Sequence, residues 1–312
     1  MIFKHFGVIM MNTLELTKEE FENLKPLHLI QGTLEKESDM YYVPGTKKKV
    51  IKVYKNYEDQ EYIDAKMLAL DNLLQYTKEL DFPELLKPIG ILKVEDKIMG
   101  TIYPKITGYT SRIYLNTFYD TMNIKIAILR KIGELLERIA KTNPKYNAAF
   151  ADVHVDNFII NGIPLDNVTN INNIKITACD TDSMKILSSP GITGYYLYDS
   201  DKLSDFSKYP LDMDGFVLAN TNTDIYCYSM MLLDLISKSE YVYTLNIDEY
   251  YRYLDYLDKL GFDGNLLNAF ASLYEEDIDN ISPLPYLEGL KKISNDSSLT
   301  NFYKQRIKKI GK

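Results

Sequence analysis

The chain has 312 residues, 46% hydrophobic and 26% charged, with a formal net charge of −8: enough for a large buried core, and an acidic balance that argues against a general nucleic-acid binder. Two cysteines make no disulfide framework and point to a reducing, cytoplasmic setting, and three scattered histidines offer no zinc-ligand spacing. The apolar opening MIFKHFGVIMMN is too short to span a membrane and has no convincing cleavage site, so no membrane partner is expected.

Residues 1–26 read as an N-terminal extension. The stretch HLIQGTLEKESDMYYVPGTKKKVIKVYK then holds two or three short β-prone runs, with Pro44-Gly45-Thr46 as a turn. Between 58 and 76, Ile63, Met67, Leu70 and Leu74 recur at helical spacing and predict an amphipathic helix. LLKPIGILKVEDKIMGTIYP reads as two more strands joined near Glu95-Asp96-Lys97. Residues 27–104 are thus expected to form a small sheet-rich lobe with one helix.

Helices dominate the stretch 105–312. Ile128, Ile132, Leu135, Leu136 and Ile139 share one face of a helix over 121–141. FADVHVDNFII follows, placing two aspartates, a histidine and an asparagine within seven positions before a strand-like run. A second strand-like run, IKITACD, comes after a polar loop. Residues 183–222 carry Gly, Pro, Ser and Asp without periodicity, and TDIYCYSMMLLDLI is apolar on nearly every side, the pattern of a helix buried in the core of the larger lobe.

Five features of this order resemble the protein-kinase-like phosphotransferases, a superfamily that also includes the aminoglycoside and choline phosphotransferases. Asp152 and Asn157 stand at the Asp-x-x-x-x-Asn spacing of the family's catalytic loop, followed by a strand. Asp180 ends the next strand, as the family's metal-binding aspartate does. Lys52 in KVIKVYK matches the strand lysine. LIQGTLEKESDMYYV is similar to the hairpin that covers the nucleotide phosphates, with Gly32 as its only glycine. NTDIYCYSMMLLDLI is similar to the family's Ser-Asp-x-Trp-Ser-x-Gly helix, with Asp224 at the aspartate.

The resemblance implies an α+β, bilobal fold and an ATP- and Mg²⁺-dependent transfer of the γ-phosphoryl group to a hydroxyl. Such chemistry needs phosphate charge neutralised, metal held and the acceptor oriented. Lys52 would pair with the α- and β-phosphates, Asp180 and Asn157 would bind Mg²⁺ through hard oxygen ligands, and Asp152 would accept or orient the hydroxyl proton. Asp182 is a rival to Asp180. Ile159 would lie beneath adenine, Tyr103-Pro104 would form a hinge offering backbone groups to it, and Asp64, with Glu61 as rival, would be the carboxylate partner of Lys52.

Departures from the pattern carry their own implications. Phe150 and Ala151 replace the His-Arg before the catalytic aspartate, which removes the arginine that clamps a phosphorylated activation loop. Thr181 and Asp182 replace Phe-Gly, no glutamate occurs in 183–222, and Asn280 stands where the arginine partner of that glutamate would be. His154, two residues after Asp152, is a feature frequent in the small-molecule kinases. Three readings stand: a protein Ser/Thr kinase, which leads; a small-molecule phosphotransferase; and a pseudokinase-like binding or structural module without turnover.

Overall fold

Val50, Ile51, Val53 and Tyr54 are all buried along one strand, and the lysine between them is buried too. An apolar run without alternation marks a strand covered on both faces. In the computed structural model this strand lies inside its sheet, flanked by a strand on each side. The described residues are 11–27, 38–116, 122–161, 173–189, 191, 197, 201–237, 242–259, 261–276 and 282–292. The chain divides into two units, Met1–Thr107 and Gly108–Lys312, and its secondary structure is a mixed, α+β set of strands and helices.

The first unit contains β1 (Asn12–Leu16), α1 (Lys18–Glu22), β2 (Ser38–Tyr42), β3 (Lys49–Tyr54), α2 (Gln60–Glu79), β4 (Gly90–Val94) and β5 (Lys97–Pro104). The five strands form one mixed sheet in the order β1-β4-β5-β3-β2. β1 pairs with β4 in parallel, and the other pairings are antiparallel. β1 falls within the stretch expected as an extension; its Leu16 packs with Ile51, Val53, Leu92, Met99 and Ile102. The expected turn between β4 and β5 forms with Glu95 and Asp96 at positive φ, 49° and 68°, the backbone of a tight hairpin. Gly100 lies against the backbone of Lys52, and a Cβ there would collide with the Lys52 carbonyl oxygen.

α2 is capped by Asp59, whose carboxylate accepts the N–H of Glu61 and Tyr62. Its buried face differs from the expected one. Ile63, Lys66, Ala69, Leu70, Leu73 and Tyr76 are buried, whereas Met67 and Leu74 are half-buried. Lys66 explains the rotation. Its ammonium lies 5.9 Å from the Tyr54 ring centroid and 5.5 Å from that of Tyr62, so a residue counted as polar is a core-facing cation over aromatic rings.

The second unit contains β6 (Tyr109–Thr110), α3 (Ser111–Asn116), α4 (Met122–Tyr146), β7 (Phe158–Asn161), β8 (Lys175–Ala178), α5 (Thr221–Ser237), α6 (Ile247–Lys259) and α7 (Gly264–Ala271). β6, β7 and β8 make a small antiparallel sheet. The expected face of α4 is fully buried at Ile128, Ile132, Leu135, Leu136 and Ile139. α5 is buried from Ile225 through Leu233, as its all-round apolarity demands. Gly133 lets α4 and α5 meet: a Cβ there would sit 2.7 Å from the Tyr228 hydroxyl, which donates to the Leu129 carbonyl at 2.8 Å. Among the described residues no helix is long and apolar enough to cross a membrane.

Candidate functional site

α4 ends at Tyr146, and Asn147, at φ 47°, turns the chain out of the helix. Ala148, Ala149, Phe150 and Ala151 follow in buried positions. Ala149 exchanges both backbone hydrogen bonds with Lys185 at 3.0 Å, and the Phe150 ring stacks on Phe158 of β7 with centroids 5.3 Å apart. Phenylalanine at 150 is therefore a packing residue that ties the start of the loop to the strand after it.

Ala151 has φ 74°, a left-handed conformation that costs a non-glycine residue about 1–2 kcal/mol. Asp224 of α5 holds the loop in that shape. Its Oδ2 accepts the Phe150 N–H at 2.6 Å and its Oδ1 accepts the Ala151 N–H at 2.8 Å. Burial pushes the Asp224 carboxyl up to about 7, and the two backbone N–H groups pull against that rise.

The turn places Asp152 over Asn157. The Asn157 Nδ2 donates to the Asp152 carbonyl and to its Oδ2, both at 2.9 Å. His154 Nε2 faces the same Oδ2 at 3.4 Å, while its Nδ1 accepts the Asp156 N–H at 3.2 Å. Burial lowers the His154 pKa, but the hydrogen bond and charge of Asp152, with the charges of Asp156 and Asp180, outweigh it and leave the ring above its ordinary value.

The outer side of the loop is clamped from α3. Arg112 Nε lies 2.8 Å from Asp156 Oδ1 and its Nη2 lies 2.7 Å from Oδ2, a two-pronged pair. The Arg112 N–H donates to the Val155 carbonyl at 3.2 Å, and the Ser111 hydroxyl donates to it at 2.5 Å. No sequence pattern assigned a role to Arg112 or Asp156 or signalled the left-handed backbone at Ala151.

The β7–β8 hairpin brings the second acid to this loop. Cys179 N–H donates to the Asn157 carbonyl at 2.7 Å, so Asp180 begins one residue from Asn157's hydrogen-bond partner. Asp180 has φ 57° and ψ 34°, a region aspartate tolerates better than most residues. The Ser183 hydroxyl lies 3.4 Å from its Oδ2. Asp182 is buried within the short 3-10 turn Thr181–Ser183, whereas Asp180 is half-buried. Ile159 is half-buried on β7, between Thr110 and Thr177.

In the first unit, Lys52 is buried on β3, opposite Met40 and Thr101, with its ammonium 5.8 Å from the Tyr54 ring centroid. Asp64 is exposed on α2, where its Oδ1 accepts from Gln60 Nε2 at 2.7 Å. Glu61 is exposed as well. Neither carboxylate expected as the partner of Lys52 is brought to it; α2 turns Lys66 inward instead. Tyr103 is buried on β5 opposite Val50. Gly32 and Asn280 lie outside the described residues.

Chemically, the second unit offers a carboxylate fixed by an amide and a histidine, next to a second carboxylate on a turn. Both side-chain hydrogen bonds of Asn157 run through Nδ2, which leaves its amide oxygen for a hard cation. With Asp180 it makes two oxygen donors, the number Mg²⁺ uses when phosphates and water complete its shell. Among the described residues no group of three or more His, Cys, Asp and Glu side chains could hold a metal ion alone. Compared with known proteins, the chain matches no family model and no curated sequence.

Proposed function

We propose that the chain is a divergent kinase of the protein-kinase-like superfamily, bilobal in plan, that transfers the γ-phosphoryl group of ATP to a hydroxyl acceptor, foremost a protein Ser or Thr. The observation that carries the reading is the Asp152–Asn157 bond at 2.9 Å, made by the two residues at the catalytic-loop spacing. Asp152 orients the acceptor hydroxyl and takes its proton at the carboxylate. Asn157 Oδ1 and Asp180 are the residues that would hold Mg²⁺, which when bound supplies charge neutralisation at the phosphates. Lys52 supplies the cation for the α- and β-phosphates.

A small-molecule acceptor is the second reading, favoured by His154 at 3.4 Å from the carboxylate that faces the acceptor. The test is incubation with γ-labelled ATP and Mg²⁺, first alone and then with a cell lysate. Label in protein bands selects the first reading, and label in small soluble products the second. Asp152→Asn and Asp180→Ala are expected to lower incorporation at least about a hundredfold. Undiminished incorporation in both variants would overturn the proposal. Nucleotide binding without any label transfer would select the module without turnover.

A further inference from the structure

The segment 201–217 is described throughout, and its tip is built like a tool. Leu211 and Val217 form an isolated antiparallel bridge, and the residues between them make a tight turn organised by one side chain. Asp212 Oδ1 accepts the N–H of Asp214 at 2.9 Å and of Phe216 at 2.8 Å. The backbone closes the same loop, with Asp212 N–H to the Phe216 carbonyl at 2.9 Å and Gly215 N–H to the Asp212 carbonyl at 3.2 Å. Gly215, at φ 87°, supplies the left-handed residue of the turn.

This ordered tip presents apolar side chains to water. Met213 is 104% exposed and Phe216 is 67% exposed, with Leu211 exposed beside them. A single exposed apolar residue needs no explanation. Three on one preformed loop are different, because methionine and phenylalanine are enriched in interface cores and a rigid loop loses little entropy on binding.

The exposed charged residues of segment 201–217 have one sign. Asp201, Asp205, Asp212 and Asp214 are exposed. The two lysines of the segment point inward: Lys202 Nζ donates to the carbonyls of Tyr243 and Leu245, and Lys208 Nζ donates to those of Ser272 and Glu275. With its two lysines bonded inward, the segment exposes acidic and apolar side chains and no basic one.

The geometry points to a docking site for a basic protein segment, one whose lysines or arginines meet Asp205 and Asp214 while its apolar residues receive Met213 and Phe216. Charge complementarity selects this partner over an acidic or neutral one. The inference rests on this loop alone and holds whether or not the chain transfers phosphate.

The probe is a labelled amphipathic peptide of leucine and lysine repeats, with a leucine–glutamate peptide as control, read by fluorescence anisotropy near physiological salt. Wild-type protein is expected to bind the basic peptide and not the acidic one. Met213→Ser with Phe216→Ser should weaken binding at least about tenfold at unchanged thermal unfolding, since these side chains are exposed. Asp205→Asn with Asp214→Asn should weaken it several-fold and flatten its salt dependence; Asp212 is spared because it holds the turn. Equal affinity in wild type and the Met213/Phe216 variant would overturn the proposal, as would no binding by wild type. A wild-type dimer in sedimentation that this variant renders monomeric would also overturn it, by assigning the surface to a second copy.

Discussion

Asp224 accepts the backbone N–H of Ala151 at 2.8 Å while Ala151 holds a φ of 74°. A buried carboxylate on one helix thus maintains a strained residue one position before Asp152, with the Phe150 N–H as its second donor at 2.6 Å. The strain and its support can be tested separately. Ala151→Gly removes the left-handed penalty and should leave stability unchanged or raise it by up to about 1 kcal/mol. Ala151→Val should destabilise by more than about 2 kcal/mol, because a β-branched side chain is forced into the same backbone and a site with no space. Asp224→Ala should cost about 3 kcal/mol by leaving two buried N–H groups without acceptors. Urea unfolding of the three variants checks all of these; a neutral Ala151→Val would show that the loop is not held in this conformation.

The Arg112–Asp156 pair, with distances of 2.7 and 2.8 Å, pins the outer side of the same loop. Its side chains are 31% and 25% exposed, so solvent screens part of the attraction. A double-mutant cycle with Arg112→Gln and Asp156→Asn should return a coupling of about 1 kcal/mol, larger than a fully exposed pair gives. The coupling should shrink with added salt. Zero coupling at low salt would remove Arg112 from the account.

His154 carries the pH dependence. Its pKa in the folded protein lies above 6.5, since three aspartates outweigh burial. A group with a raised folded pKa adds stability below its unfolded value and loses it as pH rises through the folded value. The stability advantage of wild type over His154→Gln should therefore be larger at about pH 5.5 than at about pH 8. Ring-proton titration by NMR should find the wild-type pKa above that of Asp152→Asn, which lacks the nearest carboxylate. A histidine pKa unmoved by Asp152→Asn would contradict the 3.4 Å contact.

Ala151 stands where the kinases that the sequence resembles carry the arginine that clamps a phosphorylated loop, and its N–H is given to Asp224. The proposed phosphotransfer is therefore expected to be independent of such phosphorylation. Protein stripped of phosphate by a phosphatase should turn over ATP at the rate of untreated protein, within about twofold. A large loss on treatment would sink this point.

What the sequence disclosed follows the range over which each feature is encoded. The Asp152-x-x-x-x-Asn157 loop, the strand after it and the buried α5 are local patterns, and each forms where the residues predict it. Lys52 was visible as one lysine in an apolar strand, because a strand buried on both faces tolerates a lysine only for a reason. Arg112 and Asp156 lie 44 residues apart, and no periodicity connects them. β1 lies in parallel beside β4, with Asn12 opposite Gly90, a pairing that local propensity does not encode. Asp64 was expected beside Lys52 only because the resemblance places an acid in this helix. Lys66 occupies the inner face instead: its stem is buried and its charge rests on Tyr54 and Tyr62, which turns the helix and leaves Asp64 in solvent. The backbone strain at Ala151 has no sequence signal, because alanine, unlike glycine, asparagine or aspartate, does not mark a left-handed turn.

The most direct measurement of the phosphotransfer reading is thermal unfolding with and without ATP and Mg²⁺, for wild type and Asp180→Ala. A ligand that binds only the folded state stabilises it by about 2.7 kcal/mol at a hundred times its dissociation constant, a shift of several degrees or less for a chain of this size. A clear upward shift is expected in wild type that needs Mg²⁺ and is largely lost in Asp180→Ala. An unshifted wild type at millimolar nucleotide, or an equal shift in Asp180→Ala, would contradict the phosphotransfer reading.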